Sequence, residues 1–499
     1  MDGCGFQRSV SAGRFVLLAA LVAGCTQVIH NEPINQPLTA NAAQVESALV
    51  PAVDSYSDDI VALSFSGGGT RAAAFSFGVL QGFDETLVPG RNGPVSLLNR
   101  LNYLSGVSGG SVLAAYYGLK QRAALADFKQ RFLLANAEES LQTELSLGNI
   151  ARGLQGGVND GTQFPVWLDA HLYNHATLSE LLTKTRPRVW LNASDIYNRT
   201  AFIFAPVTFN ALCSDLRNYP VSLAVAASAA VPVVFAPVVI QNFPGACPLP
   251  LPAWVQHARS DPDASPLLKS YADALERYHS GEIKYVKLLD GGLVDNYGLA
   301  GFTIARLAST SPFGPLAPEE AVKLRRFMFL VVDSGRAPSG KWAQTVEGPT
   351  GVDLITASSD TATGSGAIGS YAAFDDTMAD WRETLVQWRC RLSEAERRHF
   401  GAPPGWNCKD VKFFVGRIGF EQLGPERAAA LNAVETRLRL PGQQIELLIA
   451  AGRDALKNND MFRQFLGTTP HAPAARPLLR PYPPNTPVSG LGPHEAQAQ

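Results

Sequence analysis

The chain has 499 residues, with 42 Lys plus Arg against 44 Asp plus Glu and a formal charge of −2. It therefore lacks the basic surplus of a nucleic-acid binder. Hydrophobic residues make up 46% and charged residues 17%, enough apolar material for a large core, and the single long apolar run sits at the N-terminus. Global disorder and a polytopic membrane protein are both excluded.

Arg8 and Arg14 flank or precede that run, residues 15–23, which is too short to span a bilayer as a mature helix. It ends in Val22-Ala23-Gly24-Cys25, small residues directly before a cysteine. This is similar to a bacterial lipobox, with Val22 where Leu is preferred, in which the signal is cut before the cysteine and the thiol is lipidated. The alternative is an ordinary secretory signal with a chance cysteine. The expectation is a signal peptide over 1–24, a lipid on Cys25 and a polar tether over 25–57. Thr26, rather than Asp, after the cysteine resembles an outer-membrane sorting signal, so the body is expected at the outer membrane facing the periplasm. Cys4 leaves with the signal, and Cys213, Cys247, Cys390 and Cys408 remain. Four cysteines allow three pairings; local pairing closes the shorter loops and is preferred. No cysteine or histidine spacing suggests a metal site, and no cofactor is expected.

From Asp59 the pattern changes. Short apolar runs at 60–65, 101–105, 189–191, 201–204, 285–289 and 327–332 predict strands. Helix-like stretches at 71–81, 125–136, 267–278 and 298–307 lie between them, with an apolar segment at 112–119. Strands alternating with amphipathic helices predict a largely parallel sheet covered on both faces, over 58–340. Residues 341–467 read as helical. Within them Phe374, Met378, Trp381, Leu385, Trp388 and Leu392 form one stripe at spacings of four and three. Such a stripe usually packs on a neighbouring layer; a lipid-contacting surface is the other reading. The Pro-rich tail 468–499 is predicted to be disordered.

Three motifs carry chemistry. Gly106-Val107-Ser108-Gly109-Gly110 matches G-x-S-x-G between an apolar strand and a helix-like segment, the setting of a nucleophile elbow. Gly106 and Gly110 keep bulk away from the sharp turn, and the new helix points its amides at Ser108. Ser66-Gly67-Gly68-Gly69-Thr70-Arg71 follows another strand, and its glycines let several N–H groups converge on one oxygen, as an oxyanion hole requires. A P-loop fails for want of Gly-Lys-Ser/Thr, and a dinucleotide fingerprint fails at Ala72. The G-x-G-x-x-G string at Gly364, Gly366 and Gly369 has no strand before it and reads as chance. Asp290-Gly291-Gly292 ends a third strand, where a desolvated carboxylate could take the serine proton directly. A histidine triad would need His399, beside a charged helix end, to reach Ser108. His171 and His175 lack the Glu of H-E-x-x-H and read as structural.

Together these motifs resemble the patatin-like phospholipases, which combine a Gly-rich loop with a downstream Arg, G-x-S-x-G and D-G-G/A in this order. A fourth stretch, from Ala227 through Pro232 and Phe235 to Pro237, resembles that family's Ser/Ala-rich helix and Pro-x-x-Phe-x-Pro turn. The resemblance covers about residues 58–335; Ala72 stands where many members have glycine. It implies an α/β fold, a three-layer α/β/α sandwich, and a Ser–Asp dyad in which Ser108 attacks a phospholipid or other lipid ester and Asp290 is the proton acceptor. Amides of Gly67, Gly68 and Gly69 would hold the oxyanion, and Arg71 would support that loop or a phosphate. Two alternatives remain open: an acyltransferase of the same fold, and a non-catalytic lipid-binding lipoprotein.

Overall fold

The computed structural model describes residues 30–39, 58–90, 92–139, 141, 156–182, 187–247, 249–338 and 340–468. The expected signal peptide, Cys25 and the Pro-rich tail beyond Thr468 lie outside the described residues. In chain order the strands are β1 (Asp59–Phe65), β2 (Leu87–Gly90), β3 (Gly93–Ser96), β4 (Leu101–Val107) and β5 (Arg188–Asp195). They continue with β6 (Thr200–Ile203), β7 (Val238–Gln241), β8 (Tyr285–Asp290), β9 (Arg326–Val332) and β10 (Lys412–Ile418). Eight of them form one sheet in the order β10-β9-β1-β4-β5-β8-β7, with β6 also paired to β5; β2 and β3 make a separate hairpin. The run from β10 to β5 is parallel, and β6, β7 and β8 are antiparallel to their neighbours.

Helices used below are α1 (Gly69–Glu85), α2 (Gly109–Lys120), α3 (Val221–Ser228), α4 (Pro266–His279), α5 (Ala300–Leu307), α6 (Gly351–Arg391) and α7 (Gly442–Asn458). The two central strands explain the layering. Along β1 and β9, Val61, Leu63, Phe65, Met328, Leu330 and Val332 alternate with Ile60, Ala62, Phe327, Phe329 and Val331, and all are buried. The first set joins a core with Phe75 of α1 and Ile449 of α7; the second joins Phe302 of α5 and the α6 stripe. Period-two alternation with both faces apolar is what a sheet sandwiched between two helical layers requires.

The α6 stripe therefore packs inward. Phe374, Met378, Trp381 and Leu385 are all at most 1% exposed, and the Trp381 ring lies 5.4 Å from that of Phe327. The C-terminal region is not purely helical, because β10 extends the sheet beyond β9, register Phe414 to Met328. The local cysteine pairs Cys213–Cys247 and Cys390–Cys408 are disulfide-bonded. Among the described residues no helix is long and apolar enough to cross a membrane.

One expectation needs correction. Residues 30–39, read as part of a polar tether, are docked on the body. The Asn35 side-chain amide exchanges hydrogen bonds of 2.8 and 2.9 Å with the Gln241 backbone on β7. Leu38 is buried and its amide donates to the Cys213 carbonyl at 2.7 Å. β7 ends the sheet order, and the segment covers polar groups that an edge strand leaves open.

Candidate active site

Registry brings the motifs together. Phe65 pairs with Gly106 and with Val332, so β1, β4 and β9 end at one level and their following loops share one edge of the sheet. Ser108 leaves β4 with φ 52° and ψ −123°, a conformation that typically costs about 1–3 kcal/mol and persists only where its surroundings enforce it. Here the enforcement is visible. The Ser108 amide donates to Ser228 Oγ at 2.9 Å, Ser228 Oγ donates to the Asn192 carbonyl at 2.5 Å, and Ser111 Oγ is 2.7 Å from Ser228 Oγ. With the Ser228 hydrogen engaged at Asn192, Ser111 is the donor. Close packing does the rest: a Cβ on Gly109 would sit 1.9 Å from the Gly69 carbonyl, and one on Gly110 2.5 Å from that of Phe65. Only glycine lets the elbow rest directly on the neighbouring loop.

That loop is Ser66 to Gly69. The Gly67 amide donates to the Asn296 carbonyl at 3.1 Å and the Thr70 amide to the Arg437 carbonyl at 2.8 Å. Among the described residues, the amides of Gly68 and Gly69 have no hydrogen-bond partner. The expected set of three oxyanion donors is thereby narrowed, because Gly67 N–H is already engaged. Gly68 has φ 138°, which favours glycine. Arg71 is buried, donating from Nε to Ser334 O at 3.0 Å and from Nη1 to Val434 O at 2.9 Å. Burial pushes its pKa down to about 10, with the nearby Arg336 charge acting in the same direction. The guanidinium thus clamps two backbone carbonyls behind the loop. Ser334 completes the support, its amide donating to Ser66 Oγ at 3.0 Å and its hydroxyl to Gly67 O at 3.2 Å.

Asp290 arrives by a route different from the one expected. β8 does not run parallel to β4; it pairs antiparallel with β5, Asp290 opposite Ala193. It reaches the site because β5 extends past the end of β4: Asn192 pairs with Val107, and the next residue meets Asp290. The Asp290 carboxyl is buried, accepts the Gly292 amide at 2.8 Å and lies near enough to the Ser108 hydroxyl for that group to favour its charged form. Desolvation raises its pKa from 3.8 to about 6, against the lowering effect of the Gly292 amide and the Ser108 hydroxyl. A carboxylate beside the hydroxyl it would deprotonate, and pushed toward neutrality, is equipped for general-base work.

The histidines stay apart from this pair. His399 ends an exposed helix, Glu394–His399, whose flanking segments bond to Leu324 and Val322 before the start of β9, at the opposite end of the strands. His171 stacks on Trp167 at 4.0 Å and His175 pairs with Asp169 at 2.7 Å. Gly364, Gly366 and Gly369 lie inside α6, where no phosphate loop can form. Among the described residues, Cys213, Cys247 and His279 approach like metal ligands, but the two sulfurs are joined to each other and offer no thiolate. Sequence reasoning missed the positioning groups Ser228, Asn192, Asn296 and Ser334. Ser228, at the end of the Ala-rich α3, was the one available signal; the others act through contacts distant in sequence.

Comparison with known proteins gives two findings. Residues 63–303 match the model of the patatin-like phospholipase family, a span that holds Gly67 to Arg71, Ser108 and Asp290. Among solved structures, human GIVD cytosolic phospholipase A2 aligns at 13% identity with a TM-score of 0.28, covering 58% of this chain and 48% of that one. The chain thus spans about half the length of that protein. No curated protein sequence matches.

Proposed function

We propose that this protein is a serine lipid acyl hydrolase of the phospholipase A or lysophospholipase type, working through a Ser108–Asp290 dyad. The observation that carries the proposal is the buried Asp290 carboxyl, pushed up to about 6 by desolvation and close to the Ser108 hydroxyl, together with the Gly68 and Gly69 amides, which have no partner among the described residues. The match of residues 63–303 supports a lipid ester as the substrate class.

Ser108 Oγ attacks the ester carbonyl carbon while its proton passes to Asp290. The carbonyl oxygen becomes an oxyanion facing the Gly68 and Gly69 amides, which the N-terminus of α1 orients toward negative charge. Collapse breaks the bond to the alcohol, and Asp290 returns the proton to the departing oxygen. Water then gives a proton to Asp290 and attacks the acyl-serine; the fatty acid leaves and Ser108 recovers its proton. Arg71 acts behind the loop, away from the reacting atoms.

The protein is further proposed to be a lipid-anchored resident of the bacterial envelope, held through Cys25 in the outer membrane and facing the periplasm. Two disulfides support an oxidising compartment. A Cys25→Ser protein should remain an unlipidated precursor and leave the membrane fraction. The activity is tested with a lipid panel and fluorophosphonate labelling, wild type beside Ser108→Ala. Free fatty acid released without an added acceptor establishes hydrolysis. Product only with an added alcohol means an acyltransferase, and neither turnover nor labelling means a lipid-binding protein.

A further inference from the structure

Residues 30–39 do more than cover an edge. Asn31 Nδ2 donates to the carbonyls of Ala236 and Pro237 at 3.1 and 2.9 Å, while its Oδ1 accepts the Gly161 amide at 2.5 Å. The Asp215 amide donates to Gln36 O at 2.8 Å, so the segment is pinned at Asn31, Asn35, Gln36 and Leu38. A flexible spacer needs none of these contacts.

Where the segment is pinned matters. Ala236 and Pro237 end the turn that begins at Ala230, and the Ala230 carbonyl accepts the Asp290 amide at 2.8 Å. One end of this turn braces the candidate acid and the other holds Asn31. The turn exposes Val231 and Val234, each 37%; Ile34 of the pinned segment is 52% exposed and Val166 of the helix Gln163–Leu168 is 66% exposed. That helix adjoins the turn through Phe164, whose ring lies 5.7 Å from Phe235. Neither residues 230–237 nor Gln163–Leu168 contain a charged residue, so these two stretches present apolar side chains without charge, as a hydrocarbon boundary requires.

Chain length selects the occupant. Cys25 lies six residues before Asn31, a reach of at most about 20 Å fully extended, against a body whose radius of gyration is about 21 Å. A lipid on Cys25 can therefore bring only the Asn31 side of the molecule to the bilayer. We infer that residues 30–39 are an orienting strap, which seats the apolar patch of Ile34, Val166, Val231 and Val234 on the membrane that holds Cys25. The dyad then draws its ester from the leaflet of its own anchor. This rests on the lipid-hydrolase reading and on acylation of Cys25.

The test uses the full-length lipidated protein in vesicles of phosphatidylethanolamine and phosphatidylglycerol. Because the described cysteines are paired in disulfides, an environment-sensitive thiol label can be placed at Val234→Cys, or at Ala395→Cys on the exposed opposite end. The strap predicts a blue shift and quenching by brominated lipid at 234 and neither at 395. Ile34→Asp with Val166→Asp should lower hydrolysis of vesicle phospholipid at least about tenfold, the effect of withdrawing buried aliphatic chains. Turnover of a short, soluble nitrophenyl ester should stay within about twofold. Equal shifts at both labels, or unchanged vesicle hydrolysis by the double variant, would overturn the strap while Ser108 labelling by fluorophosphonate kept the hydrolase reading intact. Vesicle-independent crosslinking between copies at position 166 would overturn it too, assigning the patch to a second copy. If no ester is cleaved, the label shift still decides the strap.

Discussion

Residues 63–303, which match the patatin-like model, and residues 340–468, which lie outside it, divide the labour unequally. The first stretch carries Ser108, Asp290, Gly68 and Gly69. The second carries none of the groups proposed to react, yet it holds the first in shape. Its Val434 carbonyl takes one arm of Arg71, and its Arg437 carbonyl takes the Thr70 amide at the start of α1. Its helix α7 crosses α1 with almost no gap: a Cβ on Gly452 would sit 2.1 Å from Phe75 O, and one on Gly78 2.1 Å from Ile449 O. The residues proposed to act and the residues that hold them thus come from different parts of the chain, and only the former leave a motif.

Perturbing each part should give a different signature. The largest effect belongs to the acting residues: Ser108→Ala or Asp290→Asn should reduce kcat by at least about 10³-fold, within the range a general base supplies. His399→Ala, at the far end of the strands, should stay within a few-fold of wild type; a folded His399→Ala protein that lost about 10³-fold would put a histidine back into the mechanism. Neither dyad variant should melt low. Folding raises the Asp290 pKa from 3.8 to about 6, so its ionisation opposes folding above about pH 6 and is absent below about pH 4. Asp290→Asn should accordingly match or exceed the wild-type Tm at pH 7, with the advantage shrinking as pH falls toward 4. A lower Tm at pH 7 would contradict the burial argument.

Next in size is Gly68→Val, expected to lose about 10²-fold in turnover, typical of one oxyanion donor. Its Cβ would lie 3.1 Å from both Arg71 Nη2 and Ser334 Oγ at a φ that disfavours side chains. Near-normal turnover by the folded variant would move the hole elsewhere. Arg71→Met sharpens the contrast between acting and holding. It leaves two buried carbonyls unpaired, at about 1–3 kcal/mol each, so Tm should fall together with kcat while KM stays level. A raised KM for phospholipid at unchanged Tm would mean that Arg71 binds substrate phosphate after all. Gly452→Val in the outlying region should lower Tm and kcat together and leave the pH profile alone. The smallest effect is the profile itself: kcat/KM should fall about tenfold per pH unit below about pH 6 as Asp290 protonates. A flat acid limb down to pH 4 would remove Asp290 from the role of base.

How far the sequence could be read follows from the same division. The elbow, the Gly-rich loop and the Asp-Gly-Gly turn were legible because each needs a rare local string at a strand end. The sandwich was legible because β1 and β9 are apolar on both faces. β10 was missed although Lys412–Ile418 reads KFFVGRI, because the amphipathic helices around it set the expectation for the whole region. Asn31 and Asn35 looked like linker residues because composition does not say what an amide faces. The direction of β8 was not legible either; a strand reads the same whichever way its neighbour runs.

That direction has a consequence for anyone who rebuilds the molecule. β8 hangs between β5 and β7, and the turn at 230–237 whose Ala230 carbonyl takes the Asp290 amide runs directly into β7. Side chains alternate along a strand with a period of two, so sliding β8 by a single residue against β5 would carry Asp290 to the other face of the sheet. Grafts between β7 and β8 can vary in length, provided the strand itself keeps its parity. An even shift displaces the acid along the sheet; an odd one turns it away from the serine altogether.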